Sequence, residues 1–219
     1  MKIIAIGSSP RGTKSQTLKL TRALARGVRD AGGRIEVVDI AKLRIEYCRA
    51  CDACHRTGRC VHKDDFEPLR KKLLAAEGIV LSSPDYFRSV SAQLKTMIDR
   101  MADAIHCQLL AGKYACSLAT SGGPAAEEVT TYLNGILMSM GAWAVGSVAA
   151  SAGRGDEATA AAEQKAFALG RELVSAIAAG RSYPGQAEQH KQNAAYFKRV
   201  VEFNKDRWPH EYDFWSRVG

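Results

Sequence analysis

Four cysteines, Cys48, Cys51, Cys54 and Cys60, fall within thirteen residues in the spacing Cys-x2-Cys-x2-Cys-x5-Cys. Thiolates this close wrap tightly round a small object, and compact four-cysteine runs hold iron–sulfur clusters. A structural zinc usually takes two well-separated pairs. The uneven spacing therefore favours a 4Fe–4S cluster over zinc or another metal, with free or redox-active thiols as the remaining reading. Cys107 and Cys116 stand apart, near a helix end and inside a strand, and read as core residues. His55, inside the loop, reads as a solvated side chain rather than a ligand.

A second constellation follows the first apolar run: Gly7-Ser8-Ser9-Pro10-Arg11-Gly12-Thr13-Lys14-Ser15-Gln16-Thr17, leading into a helix. Backbone N–H groups at a helix start form an anion site. Ser9, Thr13, Ser15 and Thr17 add hydroxyls, and Arg11 forks onto phosphate oxygens. Gly-x-Gly-x-x-Gly is absent, as is Gly-Lys-Ser/Thr, so this is neither a dinucleotide fingerprint nor a triphosphate loop. A monophosphate ester suits it. The plainer alternative is Ser15 acting only as an N-cap, but an arginine and four hydroxyls exceed what a cap needs.

These loops need a frame. Short apolar runs at 2–7, 34–40, 78–83, 114–120 and 143–150 read as strands. Amphipathic segments at 15–30, 65–76, 90–101, 127–140 and 156–179 read as the helices between and after them. Parallel neighbours need crossover helices, so the alternation predicts an α/β fold: a doubly wound sheet of five parallel strands with helices on both faces. The expected order is 2-1-3-4-5, the flavodoxin-like arrangement. Residues 1–180 are expected to form this domain, with a Cys-rich loop at 47–63. Pro184-Gly185 opens a C-terminal helical and aromatic extension over 181–219.

The chain has 219 residues, 46% hydrophobic and 25% charged, which is the balance of a soluble globular protein. Its 31 Lys and Arg against 23 Asp and Glu leave a net charge of +8, which favours anionic partners. The basic residues from Arg11 to Arg59 are dispersed along the chain, and no aromatics interleave near the cysteines. That argues against a zinc-bearing nucleic-acid module. With neither a signal peptide nor a membrane-length apolar run, a cytoplasmic location is expected.

The loop Ser9-Pro10-Arg11…Ser15-Gln16-Thr17, the cysteine run and Lys63-Asp64-Asp65 together resemble the iron–sulfur flavoproteins, a branch of the NADPH-dependent FMN reductase superfamily. Ser83-Pro84-Asp85-Tyr86-Phe87…Ser91-Ala92-Gln93-Leu94-Lys95…Asp99-Arg100 belongs to the same resemblance, which spans roughly residues 1–150. It implies FMN with its phosphate among Ser9, Arg11, Thr13, Ser15, Gln16 and Thr17. It also implies Pro84, Asp85, Tyr86 and Phe87 beside the isoalloxazine ring, and Thr120-Ser121-Gly122-Gly123 as the third flavin loop. Two positions depart from the family pattern: Ala50 where Gly commonly precedes the second cysteine, and Gln16 where Asn is frequent. Asp64 and Asp65 read as caps on the following helix.

The expected function is an FMN-dependent oxidoreductase taking electrons from NAD(P)H or ferredoxin, with the 4Fe–4S cluster joined to the flavin. A cluster-free NAD(P)H:FMN or quinone reductase is the alternative. No side-chain acid or base is required. Seven of the 16 aromatic residues lie between Tyr196 and the C-terminus. Such an apolar load must pack on something, and a partner subunit in a homodimer or homotetramer is the expected surface.

Overall fold

The computed structural model describes residues 1–151 and 155–218. Five strands, β1 (Lys2–Gly7), β2 (Arg34–Asp39), β3 (Gly78–Pro84), β4 (Tyr114–Ser121) and β5 (Trp143–Ser151), pair in parallel in the order β2-β1-β3-β4-β5. The helices of the first half are α1 (Gln16–Asp30), α2 (Ala53–Thr57), α3 (Phe66–Ala75) and α4 (Ala92–Asp99). Those of the second half are α5 (Ala102–His106), α6 (Ala126–Ser139), α7 (Gly155–Ala178), α8 (Pro184–Phe203) and α9 (Pro209–Val218). The five-stranded order predicted from the alternation of runs is the order observed.

Period-two alternation divides each central strand between two cores. Ile4 and Ile6 of β1, with Ile79 and Leu81 of β3, face a layer built by Leu69, Leu94, Leu133 and Leu137. Ile3, Ala5 and Val80 face the opposite layer, where Leu20, Leu24 and Leu173 pack. Every residue of β3 and β4 is buried, as expected where helices cover both faces of a parallel sheet. Cys107 and Cys116 are both core residues, and burial pushes both thiols up, Cys116 to about 12.

The second layer depends on one close approach. A Cβ on Gly27 of α1 would meet the Phe167 carbonyl oxygen at 2.0 Å, and one on Gly170 of α7 would meet that of Leu24 at 2.2 Å. The two helices touch backbone to backbone, which only residues without a side chain permit.

The extension is helical, and Pro184 starts α8 rather than breaking a chain, at the position where a missing N–H costs nothing. Gln186 then caps the edge of the sheet. Its side-chain amide accepts from Ala144 N at 2.8 Å and donates to Ala144 O at 2.9 Å, occupying groups that an open edge would expose.

Candidate functional site

Three loops meet at the carboxyl ends of β1, β3 and β4, where open α/β sheets form their ligand crevice. The cleft between them is lined by Ser9, Arg11, Ser15, Gln16 and Thr17 from the first loop. Pro84, Asp85 and Tyr86 come from the second, and Thr120, Ser121 and Gly122 from the third. Eleven of the fourteen flavin-site residues named from sequence thus share one concavity. The other three do not line it. Thr13 borders a groove on the outer side of the first loop, Phe87 is fully exposed, and Gly123 donates its N–H to Ser121 Oγ at 3.0 Å.

Hydroxyls lock the loops to one another. Thr17 Oγ1 and Thr120 Oγ1 are 2.6 Å apart, Asp85 N donates to Thr120 O at 2.7 Å, and Ser121 Oγ donates to Asp85 Oδ2 at 2.8 Å. Below the cleft lies a buried layer that the sequence reading missed. Ser91 Oγ donates to Ser8 O, Ser91 N donates to Ser83 Oγ, and Thr21 Oγ1 donates to Ser82 Oγ, each at 2.9 Å. The signal was present in Ser91-Ala92-Gln93-Leu94-Lys95, since Ser91 also caps α4.

The acceptors and donors left over describe a ligand. Ser15 Oγ accepts from Leu18 N at 3.1 Å, so the capping role is real. The Gln16 and Thr17 N–H groups, in the first turn, have no acceptor within the helix. No acidic residue occupies that turn. Gln16 Oε1 and Asp85 Oδ1 are buried without a partner. FMN brings a phosphate for the donors, and ribityl hydroxyls and a ring N–H for the acceptors, so the residues present fit it.

The Tyr86–Ser89 turn beside the cleft is strained. Tyr86 and Ser89 exchange both backbone hydrogen bonds, and the central Phe87 and Arg88 have φ of 59° and 61°. This is a type I′ geometry normally given to Asn-Gly, so Phe-Arg gave no turn signal. It holds the Phe87 side chain in solvent at the rim.

The cysteine loop leaves β2 and runs into α3. Cys48 and Cys51 are exposed, Cys54 and Cys60 half-buried, and all four are free thiols. Ala50 and Asp52 adopt φ of 49° and 58°, which turns the loop sharply on either side of Cys51. Ala50, which precedes the second cysteine, is thus left-handed, a conformation that glycine adopts without steric cost.

Two buried carboxylates tie down basic side chains in and beside the cysteine loop. His55, expected in solvent, is instead buried, with its ring nitrogen on Glu211. Glu211 of α9 accepts from His55 Nδ1 at 2.5 Å and from His106 Nδ1 at 2.9 Å, and has no exposed side-chain surface. Burial opposes charge on His55, but the influence of Cys54 and Glu211 outweighs this and pushes it up to about 10. Burial also opposes charge on Glu211, yet its bonds from His106 and His55 hold it below the usual carboxylate range.

Asp64, expected only to cap a helix, does accept from Phe66 N, but it also forms a buried ion pair with Arg100. The same guanidinium donates to Glu46 O at 3.1 Å, two residues before Cys48. Asp65 makes no side-chain cap bond and accepts from Arg44 N at 2.8 Å. Neither pairing was legible beforehand, because the partners are 36 to 156 residues apart.

The metal chemistry of the region is discriminating. Among the described residues, the ligand atoms gathered within 4.8 Å of one another are those of His55, His106 and Glu211, not a set of the cysteines. The two imidazole rings stack at 4.8 Å with 20° between their planes. Their Nδ1–H groups run side by side to the two Glu211 oxygens, so the three side chains satisfy one another. A single zinc would draw four sulfurs to about 3.8 Å of one another, given Zn–S bonds of about 2.3 Å. Four free thiols in one compact run are the donor chemistry of an iron–sulfur cluster, so the residues present fit that group.

The tail packs on its own chain. Trp208 stacks against His55 and His106 at 4.8 and 5.1 Å, Trp215 Nε1 donates to His106 O at 3.1 Å, and Arg207 pairs with Asp52. At Gly58, with φ 70°, a Cβ would strike the His210 ring at 2.5 Å. Tyr196 and Phe203 remain exposed. The basic residues, dispersed in sequence, partly gather as well: Arg22, Arg26, Arg29 and Lys42 border one groove beside Thr13. No helix among the described residues is long and apolar enough to cross a membrane.

A sequence model of the family described as NADPH-dependent FMN reductase matches residues 1–157. An iron–sulfur flavoprotein of Archaeoglobus fulgidus is 32% identical over 100% of this chain and 99% of its own length. One from Methanocaldococcus jannaschii is 39% identical over 46% of this chain and 51% of its own. Among solved structures, a flavone reductase superposes with a TM-score of 0.67 at 17% identity, over 81% of this chain and 63% of its own. At that identity the superposition speaks for the fold alone.

Proposed function

The chain belongs to the NADPH-dependent FMN reductase family and is a flavin oxidoreductase, and from that premise we propose that it passes electrons from NAD(P)H or ferredoxin, through FMN and a 4Fe–4S cluster, to a small-molecule or protein acceptor. The observation that carries this is the convergence of eleven residues from three loops on one cleft, with buried Gln16 Oε1 and Asp85 Oδ1 unpartnered inside it. FMN, when bound, accepts a hydride and releases single electrons, so it joins a two-electron donor to a one-electron carrier.

The chain's own residues do the positioning. Arg11, the Ser9 hydroxyl and the first turn of α1 would take the phosphate. Asp85, fixed by Ser121 and by the Thr120 carbonyl, would accept from the ligand's N–H or hydroxyl. Tyr86 would flank the ring. Cys48, Cys51, Cys54 and Cys60 would ligate the cluster, as the iron–sulfur naming of the full-length relative suggests. Thr13, Phe87 and Gly123 remain candidates for contact with FMN from the rim. Exposed Tyr196 and Phe203 keep a homo-oligomer open as a proposal.

The test is anaerobic purification followed by flavin, iron and sulfide analysis and a visible spectrum. Flavin bands with a broad iron–sulfur absorption that bleaches on reduction are expected. Bound FMN reducible by NADPH without iron would make this a simple NAD(P)H:FMN or quinone reductase. A protein that retains no FMN and is not restored by it would overturn the reading.

A further inference from the structure

Arg100 is a buried cation that flavin binding does not use. Its side chain has no exposed surface, and Asp64, 1% exposed, grips it with Nη1 to Oδ2 at 2.5 Å and Nη2 to Oδ1 at 3.1 Å. Nη1 also donates to Glu46 O at 3.1 Å, and the guanidinium lies 4.3 Å over the Phe66 ring. Asp64 is itself fully engaged, accepting from Glu46 N at 2.8 Å and Phe66 N at 3.1 Å. The guanidinium is thus fixed in place rather than free to follow solvent.

One donor is left over. Arg100 Nε is buried without a partner, and a buried donor left unpaired costs about 1–3 kcal/mol. Glu46 stands two residues before Cys48 and Asp64 four after Cys60, so the guanidinium they share is fixed at the base of the cysteine loop, where its charge bears on Cys60. The Cys60 backbone N–H donates to Glu67 Oε1 at 3.0 Å, which holds the loop against α3 at this point. The buried charge and its spare donor thus lie at the foot of the loop that carries the four thiols.

The geometry points to Arg100 as the residue that sets the reduction potential of a cluster ligated through Cys60, with Asp64 as its opposing charge. The inference rests on the cluster reading given under Proposed function. Reduction adds one electron from an external donor and breaks no bond. Nearby positive charge stabilises the more negative reduced form, which raises the potential. In a buried setting such a charge acts through a low dielectric and is little screened by salt. The Asp64 carboxylate acts in the opposite sense and fixes how much of the arginine charge is felt.

The experiment is a redox titration of the full-length, cluster-loaded protein with dithionite and mediator dyes, the reduced cluster being followed by EPR. Arg100→Gln is expected to lower the potential by at least a tenfold change in the reduced-to-oxidised ratio at fixed poise, 59 mV for one electron. Asp64→Asn is expected to raise it, and Arg100→Lys to fall between wild type and Arg100→Gln. A merely structural pair would move both main variants in the same direction. Shifts of the same sign, or none, overturn the inference while leaving the cluster reading intact. Should Arg100→Gln fail to fold, Asp64→Asn decides alone, and an unmoved or lowered potential refutes the proposal. Wild-type protein that takes up no iron and sulfide overturns the cluster reading and this inference together, and leaves FMN binding untouched.

Discussion

Glu211 and His55 lie 156 residues apart in the chain and 2.5 Å apart in space, so the C-terminal helix is fastened to the cysteine loop through one buried carboxylate. Replacing Glu211 by Gln removes the charge that two imidazoles share. Breaking a buried pair of this kind costs about 3–5 kcal/mol. Urea denaturation should show that loss, and limited proteolysis should cut the tail sooner than in wild type. Equal stability with an uncut tail would show that the clasp contributes nothing.

Ala50 holds a left-handed conformation at φ 49°. Such a conformation costs a non-glycine residue about 1–2 kcal/mol, partly offset by the greater entropy glycine loses on folding. Ala50→Gly should therefore stabilise the protein by up to about 1 kcal/mol. A lower denaturation midpoint in the variant would contradict the assigned backbone.

Asp64 governs behaviour in acid. Burial opposes its charge, but the Arg100 hydrogen bonds and the Glu46 and Phe66 N–H groups outweigh this and hold its carboxyl below the ordinary value of 3.8. A carboxylate held low contributes stability that is complete above its unfolded pKa and is lost as pH falls through the folded one. Wild type should thus lose stability steeply below about pH 4. Asp64→Asn should start lower and show a flatter slope in that window. Parallel stability curves for the two proteins would rule this out.

Arg11 separates FMN from riboflavin. A hydrogen bond to a charged group is worth about 1.5–3 kcal/mol, so Arg11→Ala should weaken FMN binding roughly tenfold to a hundredfold. Riboflavin has no phosphate, and its affinity should not change. Flavin fluorescence quenching measures both, and equal weakening of the two ligands would place Arg11 away from the phosphate.

Gly27 has the Phe167 carbonyl against it, and a methyl group there would require α1 and α7 to separate. Gly27→Ala should lower stability by at least about 1–3 kcal/mol, the usual cost of overpacking. A thermal melt unchanged from wild type would mean the helices are not in backbone contact.

What the chain declared along its length was everything governed by local pattern. Strand and helix segments follow from hydrophobic period, and their alternation imposes a parallel sheet, because a crossover helix is the compact way to join parallel neighbours. Ser9, Arg11, Ser15, Gln16 and Thr17 were legible because they fall in one short loop, and Cys48 to Cys60 because their spacing is itself the signal.

What only the tertiary structure decided were pairings across distance. Ser91 beneath Ser8, Asp64 against Arg100 and Glu211 between His55 and His106 leave no trace in spacing, since each joins residues from separate elements. A histidine or aspartate in a loop is solvated by default, and these become buried only because a later helix arrives with the opposite charge. The aromatic tail shows the same limit. Its composition required an apolar surface to pack on, but which surface was settled by where α8 and α9 run, and Trp208 found it on its own cysteine loop.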